Sequence, residues 1–290
     1  MSTVARIRDR VPQGESIEIG AARPPTFRID WTIRGPLARR RYLLIATASF
    51  AFWLAAWWAA TALNLVDPLF LPGPAAVLRR FVTGLREGSL VADAGISIFR
   101  VTAGFLLSAV MAVPLGLLIG AYRPWRAFFE PLLEFSRYLP AVAFVPLVLL
   151  WVGIGEASKV MVIWIGTFFQ MVIMLSEDVG RVPIPQVEAA RTMGATGREI
   201  ILRVLLRSAM PAMFDTLRIT LGWAWTYLVV AEMVAANSGL GYAILKAQRF
   251  LQTDRIFVGI LLIGTIGLGI DQGLRFLHRR LFPWAGGRPT

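Results

Sequence analysis

The chain has 290 residues, 56% hydrophobic and only 17% charged, with a mean hydropathy of +0.62. Soluble domains carry about a quarter charged residues, so this composition excludes an ordinary soluble protein and points to a polytopic membrane protein. The net charge of +12 is mostly arginine; beside apolar spans it sets orientation by the positive-inside rule, and no nucleic-acid partner is expected.

Residues 1–41 are polar, with Pro24, Pro25 and nine arginines, and read as a cytoplasmic N-terminal tail. Arg39-Arg40-Arg41 loosely matches a twin-arginine export signal, but the apolar run that follows is longer than a signal core and reads as an anchored span. That first span covers about 42–63 and ends at Asp67-Pro68. Leu71-Pro72-Gly73-Pro74 makes a rigid turn, and 75–90 reads as an amphipathic helix at the outer surface, so that 42–93 forms one region.

Span two is expected at 101–121. Span three, at 128–152, contains Pro131, Pro140 and Pro146, each of which removes a backbone donor and bends the helix. Gly153 to Ser158 makes an outer turn before span four at 160–175. A long polar loop over 176–210 separates it from span five at 212–235. Ser238 to Gly241 then turns the chain into an outer amphipathic segment, 242–255, before span six at 256–274 and a basic tail at 276–290. Six spans place both termini and the long loop on one side, where the strongest basic clusters fall.

Within the loop, Pro185 fits the first turn of a helix on which Val187, Ala190, Arg191 and Gly194 share a narrow face of mainly small side chains. Gly194 permits a sharp change of direction before a second helix, Thr196 to Ser208. There Ile200, Ile201, Val204 and Leu205 form an apolar stripe, and Arg198, Arg203 and Arg207 lie away from it. Periodicity alone makes this an interfacial helix pair bridging two spans.

The spacing adds more. Glu188-Ala189-Ala190, Gly194 six positions after the Glu, and an apolar helix closing at Pro211 resemble the EAA loop of permease subunits in ATP-driven importers. Tyr138-Leu139-Pro140, Pro146 to Trp151, Gly153 to Lys159, Val229 to Met233, Ser238 to Gly241 and Arg279 to Trp284 are similar to the nitrate, sulfonate and taurine branch of that family. Pro68 to Pro72 fits its taurine-like members. The resemblance covers about Asp67 to Trp284. It implies an all-α, type-1 (MetI-like) permease with its core at 94–275, a coupling loop at 185–210, and a place in the bacterial inner membrane. It further implies a second permease copy, a dimer of ATPase subunits carrying ATP and magnesium, and a periplasmic substrate-binding protein. The coupling residues it implies are Glu188, Ala189, Ala190, Gly194, Ile201 and Pro211. Where many members have a Leu-Pro pair this chain has Leu206-Arg207, which should leave the second helix straighter. The implied substrate is a small anion such as taurine, another sulfonate or nitrate, although the branch also includes importers of pyrimidine precursors and other organic solutes.

The chain itself carries no signature of an ATPase. A phosphate-cradling loop needs Gly-Lys followed by Ser or Thr, and the only lysines, Lys159 and Lys246, follow Ser158 and Leu245. Cysteine is absent and His278 is the single histidine, which argues against a metal centre or a catalytic triad and makes an enzyme a poor fit. The alternative class is an ion-coupled carrier working without an ATPase.

Among polar residues in the spans, Glu232 reads either as a path or gate contact near the outer mouth or as a carboxylate bonded to nearby backbone, Ser238 or Asn237. Asp215–Arg218, Asp271–Arg275 and Glu134–Arg137 have the spacing of local helix pairs. Arg137 is nevertheless the best cation for an anion path, because Pro140 breaks the helix just after it. Tyr138, Gln170, Thr226 and Tyr227 could line that path with neutral donors, while adjacent Trp223 and Trp225 must point to different faces.

Overall fold

The computed structural model describes residues 38–285, and every regular element among them is helical. The chain divides into two units, one ending at Thr47 and one spanning Ala48–Pro289, described as far as Ala285. The expected N-terminal tail lies largely outside the described residues, whereas residues 276–285 of the expected C-terminal tail are described and prolong the last long helix to Leu281 before a 3-10 turn at Pro283–Ala285. Of the first unit, Ala38 and the opening turns of α1 (Arg39–Ala62) are described; everything that follows concerns the second unit.

Helix α2 (Pro74–Arg86) is the expected amphipathic helix, started by a proline in its first turn. It stops short of the expected end because Gly88 adopts φ +72° and redirects the chain into α3 (Ser89–Ala121). Helix α3 thus begins three turns before the expected span, and the expected domain boundary at 93/94 falls inside it. Asp93, Ser97 and Arg100 do not end the helix because each finds a partner across the bundle.

The expected single span at 128–152 is a broken pair. Helix α4 (Arg123–Arg137) and a 3-10 turn (Ala141–Phe144) running into α5 (Val145–Val152) meet at 89°. Pro140 disfavours helical backbone at Leu139 and supplies no donor, so Tyr138 and Leu139 bond three residues back, to Phe135 and Ser136, and the helix closes there. Pro146, in the first turn of α5, does no such damage.

The chain continues through α6 (Glu156–Gly180), α7 (Ile184–Thr192), α8 (Gly197–Glu199), a π-helical segment (Ile200–Leu205), α9 (Leu206–Ala235), α10 (Leu240–Arg249) and α11 (Thr253–Leu281). Helices α1, α3, α6 and α11 are long and apolar enough to cross a bilayer, and the α4–α5 pair is a fifth if counted as one broken span. The remaining expected span, the fifth at 212–235, corresponds to α9. At 30 residues it exceeds the ~20 a bilayer core requires, but Asp215, Arg218 and Glu232 make it less apolar than the others.

The core is built on the α3–α6 contact. Gly104, Ser108, Ala112, Gly116 and Gly120 recur every fourth residue or multiple of it, giving α3 a stripe of small residues. A Cβ at Gly104 would lie 2.7 Å from Ile163, and one at Gly116 would lie 2.7 Å from Leu175, so the two backbones approach as closely as side chains allow. Ser108 and Thr167 share a hydroxyl hydrogen bond of 2.7 Å between these helices, and Thr216 of α9 donates to Asp178 of α6 at 2.6 Å. Such bonds contribute ~0.6 kcal/mol each in a membrane bundle, so the close packing of the stripe is the larger effect.

Candidate functional site

Four of the expected path residues converge. Arg137, Gln170, Thr226 and Tyr227 line one cavity of about 310 Å³, together with Ser136 and Trp223. Arg137 is delivered by the last turn of α4, at the break Pro140 imposes. Gln170 comes from the middle of α6. Trp223, Thr226 and Tyr227 fall three and four apart on α9 and so share a face. The Tyr227 ring lies directly over Gly166, one turn before Gln170, where a Cβ would meet ring carbons at 2.5–2.7 Å. Trp225 points the opposite way and is buried against α11, as adjacent spacing requires.

Arg137 remains uncommitted to any carboxylate among the described residues: the expected pairing with Glu134 does not form. Its Nη2 donates to the Tyr138 hydroxyl at 3.3 Å, and its guanidinium carbon lies 5.1 Å from that ring's centroid. Tyr138 therefore orients the cation from outside the cavity and does not line it. An exposed guanidinium at a cavity that also carries the hydroxyls of Ser136, Thr226 and Tyr227 and the Gln170 amide suits an oxyanion, because it offers charge-assisted donors with no ion-paired carboxylate among the described residues.

Glu232 lies elsewhere. It is fully buried and accepts hydrogen bonds from Ser97 Oγ at 2.7 Å, Arg100 Nη1 at 2.7 Å and the Gly241 amide at 2.8 Å. It therefore does not line the Arg137 cavity, where the path reading would put it; the Gly241 amide is a nearby backbone partner of the kind expected, and Arg100 is a partner beyond those expected. Arg100 also donates to both oxygens of Glu156, at 2.6 and 2.7 Å, and to the Ser238 carbonyl at 2.7 Å. Lys159 joins Glu156 at 3.1 Å. The cluster ties α3, the start of α6, the end of α9 and the entry to α10 into one block. Gly239 is required beneath it: φ is +109°, and a Cβ there would collide with the Glu232 carboxylate. The signal available in the sequence was a single arginine interrupting the apolar run from Ile96 to Leu107, matched by one acid in the apolar end of α9. Charges isolated in this way demand each other.

In the polar loop, α7 starts at Ile184-Pro185 as expected. Gly194 sits in the left-handed region at φ +82°, while the Ala195 amide bonds back to the Ala190 carbonyl at 3.0 Å, the pattern of a Schellman stop. Thr196 then caps the next helix, with Glu199 accepting from its amide at 3.0 Å and its hydroxyl at 2.9 Å. The Thr196 amide, then its hydroxyl, then Arg203 hold the Glu199 carboxyl below the usual carboxylate range. The second helix was expected to end at Ser208. Instead α8, the π-helical segment and α9 follow one another without a break, and Arg207 in place of proline lets that continuity form.

Glu188, Ala189 and Gly194 are exposed, but Ala190 is buried, and with half-buried Val187 it packs inward beside Ile200 and Leu205. Of the face of small residues read from the sequence, Val187 and Ala190 are therefore turned toward the chain's own core. Ile184, Glu188, Ala189, Arg191 and Met193 are exposed, and of these Ile184, Glu188 and Arg191 line an open cavity beside the α3–α4 corner. Ile201 is half-buried, and Pro211 lies within α9, its carbonyl 3.3 Å from His278 Nε2. Deeper in, the expected pairs Asp215–Arg218 (3.3 Å) and Asp271–Arg275 (2.9 Å) both form, and Arg218 bridges them across α9 and α11 at 2.9 Å.

A family model, "Binding-protein-dependent transport system inner membrane component", matches residues 112–283. The taurine transport system permease protein TauC of Escherichia coli (strain K12) is 35% identical over 264 residues, 89% of this chain and 94% of that protein. The putative aliphatic sulfonates transport permease protein SsuC of Bacillus subtilis (strain 168) is 34% identical over 231 residues, 80% of this chain and 84% of its own length. In fold, the chain resembles a chain of the MetNI methionine ABC transporter in an inward-facing conformation (TM-score 0.54, 21% identity, 65% of this chain and 97% of that one). It also resembles a chain of a bacterial alginate ABC transporter (TM-score 0.56, 16% identity, 83% and 96%). The Escherichia coli and Bacillus subtilis relatives are both named as permease proteins, and permease subunits are not themselves enzymes. The chain belongs to the binding-protein-dependent transport system inner membrane components, as a permease with the all-helical type-1 importer fold.

Proposed function

We propose that this permease forms the path for a small organic or inorganic oxyanion, delivered by a periplasmic binding protein and driven by a separate ATPase carrying ATP and magnesium. The observation that carries the reading is the cavity that Arg137, without a carboxylate partner among the described residues, shares with Gln170, Thr226 and Tyr227. Relatives named for taurine and for aliphatic sulfonates support an anionic substrate of this kind. In this reading two copies of the chain face each other, and both termini and the 184–210 segment lie on the cytoplasmic side of the inner membrane.

The continuous run from Thr196 to Ala235 gives the coupling a mechanical basis. Displacement of α7 by an ATPase passes through the Gly194 corner into a helix that carries Thr226 and Tyr227 without an intervening joint. Glu188, Ala189 and the exposed Met193 at the end of α7 make the docking contact. Ala190, Ile201 and Pro211 hold that surface to the rest of the chain. ATP binding can favour the outward-open state only through such a differential contact.

Because the chain lacks cysteine, a single introduced thiol is unique. Glu188→Cys should cross-link to the ATPase subunit in the assembled transporter, and Arg137→Gln should raise the KM for anion uptake with assembly unchanged. A Glu188→Cys thiol labelled only from the outer face, or uptake by the permease alone without nucleotide, would refute the proposal.

A further inference from the structure

At the root of the polar loop is a second cavity, of about 580 Å³, walled by the α3–α4 corner, the end of α6 and α7. Arg123 and Arg126 enter it from the corner and Arg191 from α7, with Glu188 the single carboxylate among its lining residues. None of the three arginines forms an ion pair or a side-chain hydrogen bond among the described residues. The other arginines of the loop and of the α9–α11 interface that meet acids here are Arg181, Arg203, Arg218 and Arg275. Arg126 Nη2 lies beside Gly180, at the carbonyl end of α6, where a cation is favoured; Arg123 and Arg191 have no such support. Three guanidinium groups around one concave, solvent-reached space repel one another unless an anion sits between them.

The surroundings of the cavity select the anion. Trp125 and Phe128 follow Arg123 on α4 and are exposed, Phe128 to 74%, at the point where the apolar length of α3 ends. Exposed aromatics next to arginines at a span terminus mark the headgroup layer of a bilayer. Basic pockets between spans on the cytoplasmic side suit anionic headgroups, and the planar guanidinium matches phosphate oxygens two at a time. The geometry points to a phosphate-binding site filled by the headgroup of an anionic phospholipid of the cytoplasmic leaflet. There the lipid links Arg191 on α7 to Arg123 and Arg126 on the α3–α4 corner, and so stiffens the root of the segment that moves. This inference rests on the cytoplasmic placement of 184–210 proposed above.

The test uses the full chain assembled with its ATPase, purified in a neutral detergent and titrated with phosphatidylglycerol, phosphatidylcholine or inorganic phosphate, with bound lipid read by native mass spectrometry. Phosphatidylglycerol should bind in preference to phosphatidylcholine. That preference should fall about fivefold for each of Arg123→Gln, Arg126→Gln and Arg191→Gln, the fold-change equivalent to ~1 kcal/mol per basic residue at an anionic surface. Glu188→Gln should strengthen it, a sign that general loosening of the fold would not produce. Equal binding of the two lipids, or an unchanged preference in the triple variant, overturns the site. Displacement of phosphatidylglycerol by millimolar inorganic phosphate overturns the lipid source. Sidedness is read separately with a thiol at Arg198→Cys: outer-face labelling overturns the functional reading and the leaflet assignment together, whereas inner-face labelling without a headgroup preference overturns the site alone.

Discussion

Replacing Arg100 with Met tests the buried cluster, because it removes the cation from a fully buried site and leaves an apolar side chain of nearly the same length. The Arg100 side chain is 1% exposed and Glu232 is 0% exposed, so the variant strands a carboxylate that keeps only Ser97 and the Gly241 amide. Removing one partner of a buried pair costs ~3–5 kcal/mol. At ~2–4 °C per kcal/mol for a folded unit of this size, thermal unfolding in detergent should fall by about 10 °C. Glu156 provides the contrast. Its side chain is 48% exposed, and water can replace Arg100, so Glu156→Gln should cost no more than ~1 kcal/mol. The double variant Arg100→Met with Glu232→Met leaves no orphan charge and should recover most of the loss. Unfolding followed by tryptophan fluorescence, with size exclusion to confirm assembly, reads all four proteins. A shift below about 2 °C for Arg100→Met, or a double variant no more stable than the single, would refute the view that the pair locks these helix ends.

Three other perturbations probe the path and the loop. Gly166→Ala places a methyl group against the Tyr227 ring, an overpacking of ~1–3 kcal/mol; the ring must shift in the cavity, and uptake KM should change while assembly persists. Gly194→Val forces a β-branched residue to φ +82°, at ~1–2 kcal/mol, and should leave ATP hydrolysis running without uptake, with Gly194→Asn milder. The Glu199 carboxyl is held below its ordinary value, so the stability it lends to the corner is complete above the unfolded pKa of about 4.3 and is lost as pH falls through the lower folded value. Amide exchange at Thr196 should accelerate only in that acidic window, and Glu199→Gln should remove the dependence.

Much of this was legible in the chain. Apolar length and arginine placement gave the helical membrane class, and Pro185 and Gly194 marked the start and end of α7 because each suits backbone geometry other residues resist. Arg137, Gln170, Thr226 and Tyr227 were legible as polar groups at span depth, although only the fold brings α4, α6 and α9 together around them. Three features were hidden for physical reasons. The early start of α3 was masked because Asp93 and Arg100 look like span-ending residues until their partners, 146 and 132 residues away, are known. The right angle after α4 could not be told from a gentle proline kink, since the bend depends on which neighbours donate to the freed carbonyls. The inward turn of Ala190 was missed because a small residue fits equally well against a partner or against its own core.

The central claim is that nucleotide on the ATPase moves the helix lining the Arg137 cavity. The direct measurement is thiol labelling of Thr226→Cys from the cytoplasmic side in the assembled transporter, with and without a non-hydrolysable ATP analogue. Labelling should drop severalfold when the analogue binds, and the drop should vanish when Gly194→Val is added. Equal labelling in both nucleotide states, with the analogue shown to be bound, would contradict the account.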